Sequence, residues 1–277
     1  MVLRSGRIRY TNDLPVYAAF DAGAIPYPGE LHADVPTNLN RMLLAGELDL
    51  SPISAFAYAH DAERLVLLPD LCIGARSEVV SVVLVSRTPL ALLGKATVYV
   101  SNESATGANL LRVVLERRYG VTPKYVTTGD APRHAREGRP ALLIGDSAID
   151  ALLDLPGEQV YDLGTLWHDW KSAQTVFAVW AARREVFESN PQGVRECMHA
   201  LTDAYTWSRA HMNEVVGLAQ RMKARPDGFY EDYYGKLNFM FHSAAQHGLA
   251  TFFRELVAIS AIARLPQSSP EVLGVAS

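Results

Sequence analysis

From about residue 7 to residue 185 the chain alternates short β-type runs with amphipathic helical stretches, and this alternation points to an α/β architecture. Arg7–Tyr10 reads as a first strand, with a helix after Pro15. Leu39, Met42 and Leu43 share one face of a helical stretch that Gly46 stops, and LDLSPIS follows as a strand running into a turn. Leu65–Leu68 and the valine-rich run Val79–Val85 are further strands. Pro89 and Gly94 then punctuate the chain, and a fresh series begins: TVYV as strand, SNESATG as turn, and ANLLRVVLERRYG as a helix with an apolar stripe. KYVTT, ALLIG and a helix around Ile149–Leu153 continue it, and strand character returns at TVFAVWAA. Beyond Asn190 the pattern is nearly all helical, with helices expected at 191–211, 213–224 and 243–254.

This order predicts a discontinuous arrangement: residues 1–92 and 175–277 form one lobe with a helical C-terminal tail, and residues 93–174 form a second, inserted lobe. Two crossings between lobes make a hinge, and a cleft between α/β lobes is a preferred small-molecule site. Apolar residues make up 49% of the chain and charged ones 20%, enough to build a sizeable core. A net charge of −4 argues against a general nucleic-acid binder but leaves a small anionic ligand open, because local donors decide that. No segment approaches the roughly 20 apolar residues that span a bilayer, and MVLRSGRIRYTNDLP lacks the apolar stretch of a signal peptide. Cys72 and Cys197 lie far apart and read as reduced core thiols. The expectation is a soluble, cytoplasmic protein with no membrane partner.

Polar residues at strand-to-helix junctions are the candidates for chemistry, since ligands of such sheets bind beyond the carboxyl ends of the strands. Asn12, in YTNDLP, can donate its amide to a ligand oxygen; Asn12 and Asp13 are equally read as helix caps. Ser54 stands at a helix start beside backbone N–H groups, which suits an anion or a plain cap. Ser81 interrupts an apolar run, so its hydroxyl needs a partner, either a backbone carbonyl or a ligand. The turn Ser101–Gly107 presents Ser104, Thr106 and the backbone of Gly107 where a helix dipole adds partial positive charge, an arrangement that holds a carboxylate without Arg or Lys. Asp146 sits where another strand becomes a helix and is read as a cap or a ligand contact. Trp167, His168 and Trp170 either wall the cleft or pack the hinge. The histidines, His32, His60, His134 and His168 among them, show no metal-ligand spacing; no G-x-S-x-G elbow and no G-x-G-x-x-G turn is present. Neither a metal nor a cofactor is expected.

Taken in order, YTNDLP, AGELDLSPIS, DLCIG…SEVVSVVLVS, VSNESATGANLL, LLIGDSAI and YDLGTLWHDW…TVFAVWAARRE resemble the menaquinone-biosynthesis family that contains chorismate dehydratase. The resemblance covers roughly residues 7–185. It implies a fold similar to type II periplasmic binding proteins, with two α/β lobes around a ligand cleft. It implies a hydro-lyase reaction that turns chorismate into 3-[(1-carboxyvinyl)oxy]benzoate with loss of water. By the same resemblance Asn12 and Ser81 touch the substrate at its reacting ring, and Thr106 matches the threonine of the hydroxyl-rich turn. The family's S-x-T-S pattern is departed from at Gly107, which leaves only a backbone N–H there. The substrate's two carboxylates need two donor groups, for which the Ser104–Gly107 turn and Ser54 are the candidates. Since no side chain in these motifs stands out as a base, the substrate's own enolpyruvyl carboxylate is expected to take the ring proton. The competing readings are a non-catalytic binding protein for a small carboxylate and the dihydroxynaphthoate synthase of the same pathway.

Overall fold

The computed structural model describes residues 2–155 and 160–266. Its strands are β1 (Arg4–Ile8), β2 (Glu30–Asp34), β3 (Leu50–Ser54), β4 (Leu65–Ala75), β5 (Val82–Val85), β6 (Thr97–Ser101), β7 (Lys124–Thr128), β8 (Ala141–Ile144), β9 (Val160–Asp162), β10 (Thr175–Arg183) and β11 (Leu237–Met240). The α-helices are α1 (Leu14–Asp21), α2 (Pro36–Leu44), α3 (Ala55–Asp61), α4 (Ala105–Val113), α5 (Ala131–Arg136), α6 (Gly145–Asp154), α7 (Leu163–Lys171), α8 (Arg184–Ser189), α9 (Pro191–Ala210), α10 (Met212–Met222), α11 (Phe229–Lys236) and α12 (Ser243–Ala258). The α/β class is the expected one.

Two compact units result: one from the described residues up to Ile73 with Ala178–His242, the other from Gly74–Phe177 with Ser243–Leu265. This differs from the expected lobes at both boundaries, the second falling at Phe177 instead of residue 174, and in the placement of the C-terminal helix. The first boundary falls at Ile73, not at residue 92, because β5 pairs with β8 and β9 in the second sheet. The C-terminal helix also changes sides. In α12 the face carrying Leu249, Phe252, Phe253 and Leu256 is buried, Phe252 packs edge-on to Trp167 at 6.1 Å, and Glu255 pairs with Lys171 at 2.6 Å and Arg117 at 3.2 Å. The parts of the expected lobes at residues 1, 156–159 and 267–277 lie outside the described residues.

The first unit holds a six-stranded sheet in the order β11-β4-β10-β3-β1-β2. β1 runs parallel to β2 and β3, and β10 runs antiparallel to β3, pairing Ala178 with Ser54 and Ala182 with Leu50. Asp49, just before β3, is buried and ties three segments together. It accepts from the Arg4 backbone N–H and guanidinium, each at 2.8 Å, and from Arg183 at 2.8 Å. Burial works to raise its pKa, but the Arg4 hydrogen bonds and then Arg183 outweigh burial and hold the carboxyl at about 2. Tyr230, Tyr233 and Tyr234 are buried among the helices, with Tyr230 stacked on Tyr234 and Tyr233 tilted against Tyr234.

The second unit holds a five-stranded sheet in the order β7-β6-β8-β5-β9. β6 is parallel to β7 and β8, whereas β5 is antiparallel to β8 and β9. The strand expected over Val79–Val85 is shortened to β5 because Val80 has φ +66°, outside any strand conformation.

Candidate functional site

In the first unit β1 and β3 are parallel, with Ser5 opposite Leu50, so the chain leaves both strands at the same edge of the sheet. Beyond β1, Thr11–Asp13 form a 3₁₀ turn that leads into α1 with Pro15 in its first turn. The Tyr234 hydroxyl pins this turn by donating to the Thr11 carbonyl at 2.8 Å. Asn12 Oδ1 is buried and has no hydrogen-bond partner, a condition that favours a ligand donor arriving there. The cap expected of Asp13 does not form. Its carboxyl instead turns back to the strand, where Oδ2 accepts from the Ile8 N–H at 2.8 Å while Oδ1 is buried without a partner. Burial pushes this carboxyl up to about 7 against the pull of Arg7. Ser54, by contrast, is a true N-cap: its oxygen accepts from the Ala57 N–H at 3.1 Å and from the Asn40 amide at 3.3 Å. Those bonds leave its hydroxyl proton to be donated.

The second unit gathers the other predicted residues. β6 and β8 run parallel, with Val100 opposite Leu142, and β5 meets β8 antiparallel, with Val82 opposite Ile144. Ser81, the Ser104–Gly107 turn and Gly145–Asp146 therefore share one edge of the second sheet. Ser81, Ser104 and Thr106 are buried. The Ser81 carbonyl accepts from the Gly145 N–H at 2.8 Å, and its hydroxyl lies 3.3 Å from the Val79 carbonyl. Thr106 Oγ1 donates to the Phe177 carbonyl at 2.8 Å, so its proton is committed to backbone. What remains for an anion is the set of first-turn N–H groups of α4, which have no acceptor within the helix, together with its dipole. A Cβ at 107 would overlap the Ser104 hydroxyl in its present rotamer and come within 3.1 Å of Val82, so a side chain there requires the Ser104 hydroxyl to turn away. Asp146 is the second residue of α6, past the cap position at Ile144, so the cap reading does not hold for it either.

One residue of this edge escaped the sequence reading. Asp162 caps α7 through the Thr165 N–H at 2.9 Å and also receives the N–H groups of Val79 at 3.1 Å and Val80 at 2.7 Å. Burial raises its pKa although all three bonds favour the charged form. Its signal was present as D-x-x-T at the start of a helix, but nothing in the sequence marks Val80 as left-handed. Trp167 is fully buried and donates to the Gln174 carbonyl at 3.2 Å, which is packing.

A separate groove of about 410 Å³ on the first unit contains Arg64, Arg183 and Arg184. Their guanidinium groups are already held: Arg64 by the Leu44 carbonyl, Arg183 by Asp49 and Glu185, Arg184 by the Leu65 carbonyl. Among the described residues no group of three or more His, Cys, Asp or Glu comes together to hold a metal ion, and no helix is long and apolar enough to cross a membrane.

A family model described as "Menaquinone biosynthesis" matches residues 3–258. A protein named chorismate dehydratase from Thermus thermophilus is 36% identical over 212 residues, which cover 71% of this chain and 75% of that protein. Among solved structures, the periplasmic aliphatic sulphonate binding protein SsuA from Escherichia coli superposes with a TM-score of 0.68 at 15% identity, covering 100% of this chain and 94% of SsuA. Protein AF1704 from Archaeoglobus fulgidus gives 0.60 at 19% identity, covering 94% of this chain and 98% of AF1704. The fold is therefore that of the periplasmic binding proteins.

Proposed function

This chain belongs to the menaquinone biosynthesis family, and on that premise we propose that it is a chorismate dehydratase, a hydro-lyase working in the cytoplasm. The reaction breaks the C–H bond at the ring carbon bearing the ether. The electron pair enters the ring, and the hydroxyl on the adjacent carbon leaves as water, taking up the proton removed from the ring. The product, 3-[(1-carboxyvinyl)oxy]benzoate, is aromatic, and that supplies the thermodynamic drive.

The residues this reading assigns to the substrate are the first turn of α4 with Ser104 and the Ser54 hydroxyl for its carboxylates, Ser81 for the ring, and Asn12 for the hydroxyl that leaves. The observation that carries the assignment is Asn12 Oδ1, a buried acceptor without a partner where the chain leaves β1. An orphaned buried acceptor typically costs about 1–3 kcal/mol, which a substrate hydroxyl would recover by donating to it.

The enolpyruvyl carboxylate of the substrate itself takes the ring proton. Asn12 and Ser81 are not basic, and the Asp13 carboxyl turns back to β1, where Oδ2 accepts from the Ile8 N–H and burial holds the proton on up to about pH 7. Orientation then supplies most of the rate, aided by a positioned proton acceptor of the kind worth about 10²–10⁴-fold. Asn12→Ala tests the assignment by steady-state kinetics on chorismate. The expected result is a kcat lower by about 10²-fold or more with KM within a few-fold, the signature of an interaction made mainly in the transition state. A kcat within a few-fold of the parent would reduce Asn12 to a structural residue. Binding of chorismate by the parent without turnover would instead favour a carboxylate-binding protein.

A further inference from the structure

We infer that Asp162 is a positioning residue for Ser81: its carboxylate fixes the Val79–Val80 backbone and so sets where the Ser81 hydroxyl points. The inference rests on the reading that Ser81 touches the substrate.

The Ser81 N–H donates to the Val79 carbonyl at 2.7 Å, closing a three-residue turn whose central residue is Val80. Val80 has φ +66°. A turn of this hand is rare and strained, and a β-branched residue is among the least suited to its centre. Left to itself Val80 relaxes to negative φ, which rotates the following peptide and carries the Ser81 side chain with it. Burial of Val79, Val80 and Ser81 and the bond from Gly145 to the Ser81 carbonyl set limits on that movement but do not engage the strained peptides themselves.

Asp162 does. Its Oδ2 accepts from the Val80 N–H at 2.7 Å, and both carboxylate oxygens lie 3.1 Å from the Val79 nitrogen. Two successive N–H groups converging on one carboxylate form an anion-binding concavity, here filled from within the chain. The approach is close enough to require glycine two residues on: a Cβ at Gly164 would overlap the Ser77 carbonyl and lie 3.1 Å from the Val79 nitrogen. β9 also pairs with β5, placing Asp162 opposite Val83 two residues beyond Ser81. The carboxylate is thus anchored on the strand beside the one it braces.

Asp162→Asn separates this role from capping. Asparagine caps helices as well as aspartate does, so the bonds of Thr165 and Val79 to Oδ1 survive, but the NH₂ in place of Oδ2 cannot accept from Val80. The test measures chorismate turnover by the full-length protein in four forms: parent, Asp162→Asn, Val80→Gly and the double variant. Asp162→Asn is expected to lower kcat by about tenfold or more with KM within about threefold, as small misplacements of a reacting group do. With glycine at 80 the turn is no longer strained, so the same substitution is expected to cost less than about threefold. Equal costs in the two backgrounds would overturn the inference. A crystal structure of Asp162→Asn provides a readout independent of activity: Val80 is expected to leave the left-handed region, and a turn unchanged from the parent overturns the inference. Ser81→Ala tells the two failures apart. Parent-level kcat in Ser81→Ala overturns the inference together with the reading beneath it. An impaired Ser81→Ala beside a parent-level Asp162→Asn overturns the inference alone.

Discussion

Asp13 keeps its proton to about pH 7 in the folded protein, whereas an unfolded aspartate releases it near pH 4. Between those values the native state binds a proton that the unfolded chain has lost. Stability from this group is therefore complete below about pH 4 and falls away as the pH rises through about 7. Asp13→Asn cannot ionise, so its urea midpoint is expected to vary less than that of the parent between about pH 5 and pH 8, with the parent losing ground on the alkaline side. A parent midpoint no steeper than the variant's across that interval would contradict the account. Asn12 and the Ser104–Gly107 turn were legible as candidates because each stands at a strand-to-helix junction, and Ser81 because it interrupts an apolar run, features that sequence pattern reveals. Their partners were not. The Thr106 hydroxyl is committed to Phe177, 71 residues away, and only the folded chain brings that carbonyl within reach.

At the scale of elements, the Asp49 cluster fastens the start of β3 to β1 and β10. Its sign is opposite to that of Asp13. The folded pKa of about 2 lies below the unfolded value, so the stabilisation is present above about pH 4 and is lost as the pH falls through about 2. Arg4 is partly exposed, which screens its share. Asp49→Asn is expected to cost about 1–2 kcal/mol at neutral pH and to flatten the acid limb of the urea midpoint. An unchanged acid limb would show that the cluster does not fasten the sheet. Strand and helix identities were largely readable from periodicity, but strand ends were not. Val79–Val85 is a continuous β-type pattern, and only the convergence of two N–H groups on Asp162 explains why β5 begins at Val82. β2, β9 and β11 were missed; β2, the sequence ELHAD, lacks a hydrophobic alternation to betray it.

For the whole molecule, the α/β class followed from the alternation of elements, whereas the allegiance of α12 did not. An amphipathic helix advertises that it has an apolar face but not which sheet will cover it. Phe252→Ala is expected to cost about 3–5 kcal/mol, and hydrogen exchange should register the loss in α4, α7 and α12, while 178–242 stay protected. Deprotection of 178–242 instead would mean that α12 supports the other unit. The central claim concerns chemistry and is tested most directly by incubating the purified protein with chorismate and following the aromatic product by ultraviolet absorbance, with its identity checked by mass. The account predicts catalytic conversion to 3-[(1-carboxyvinyl)oxy]benzoate over many turnovers; chorismate recovered intact after binding would contradict it.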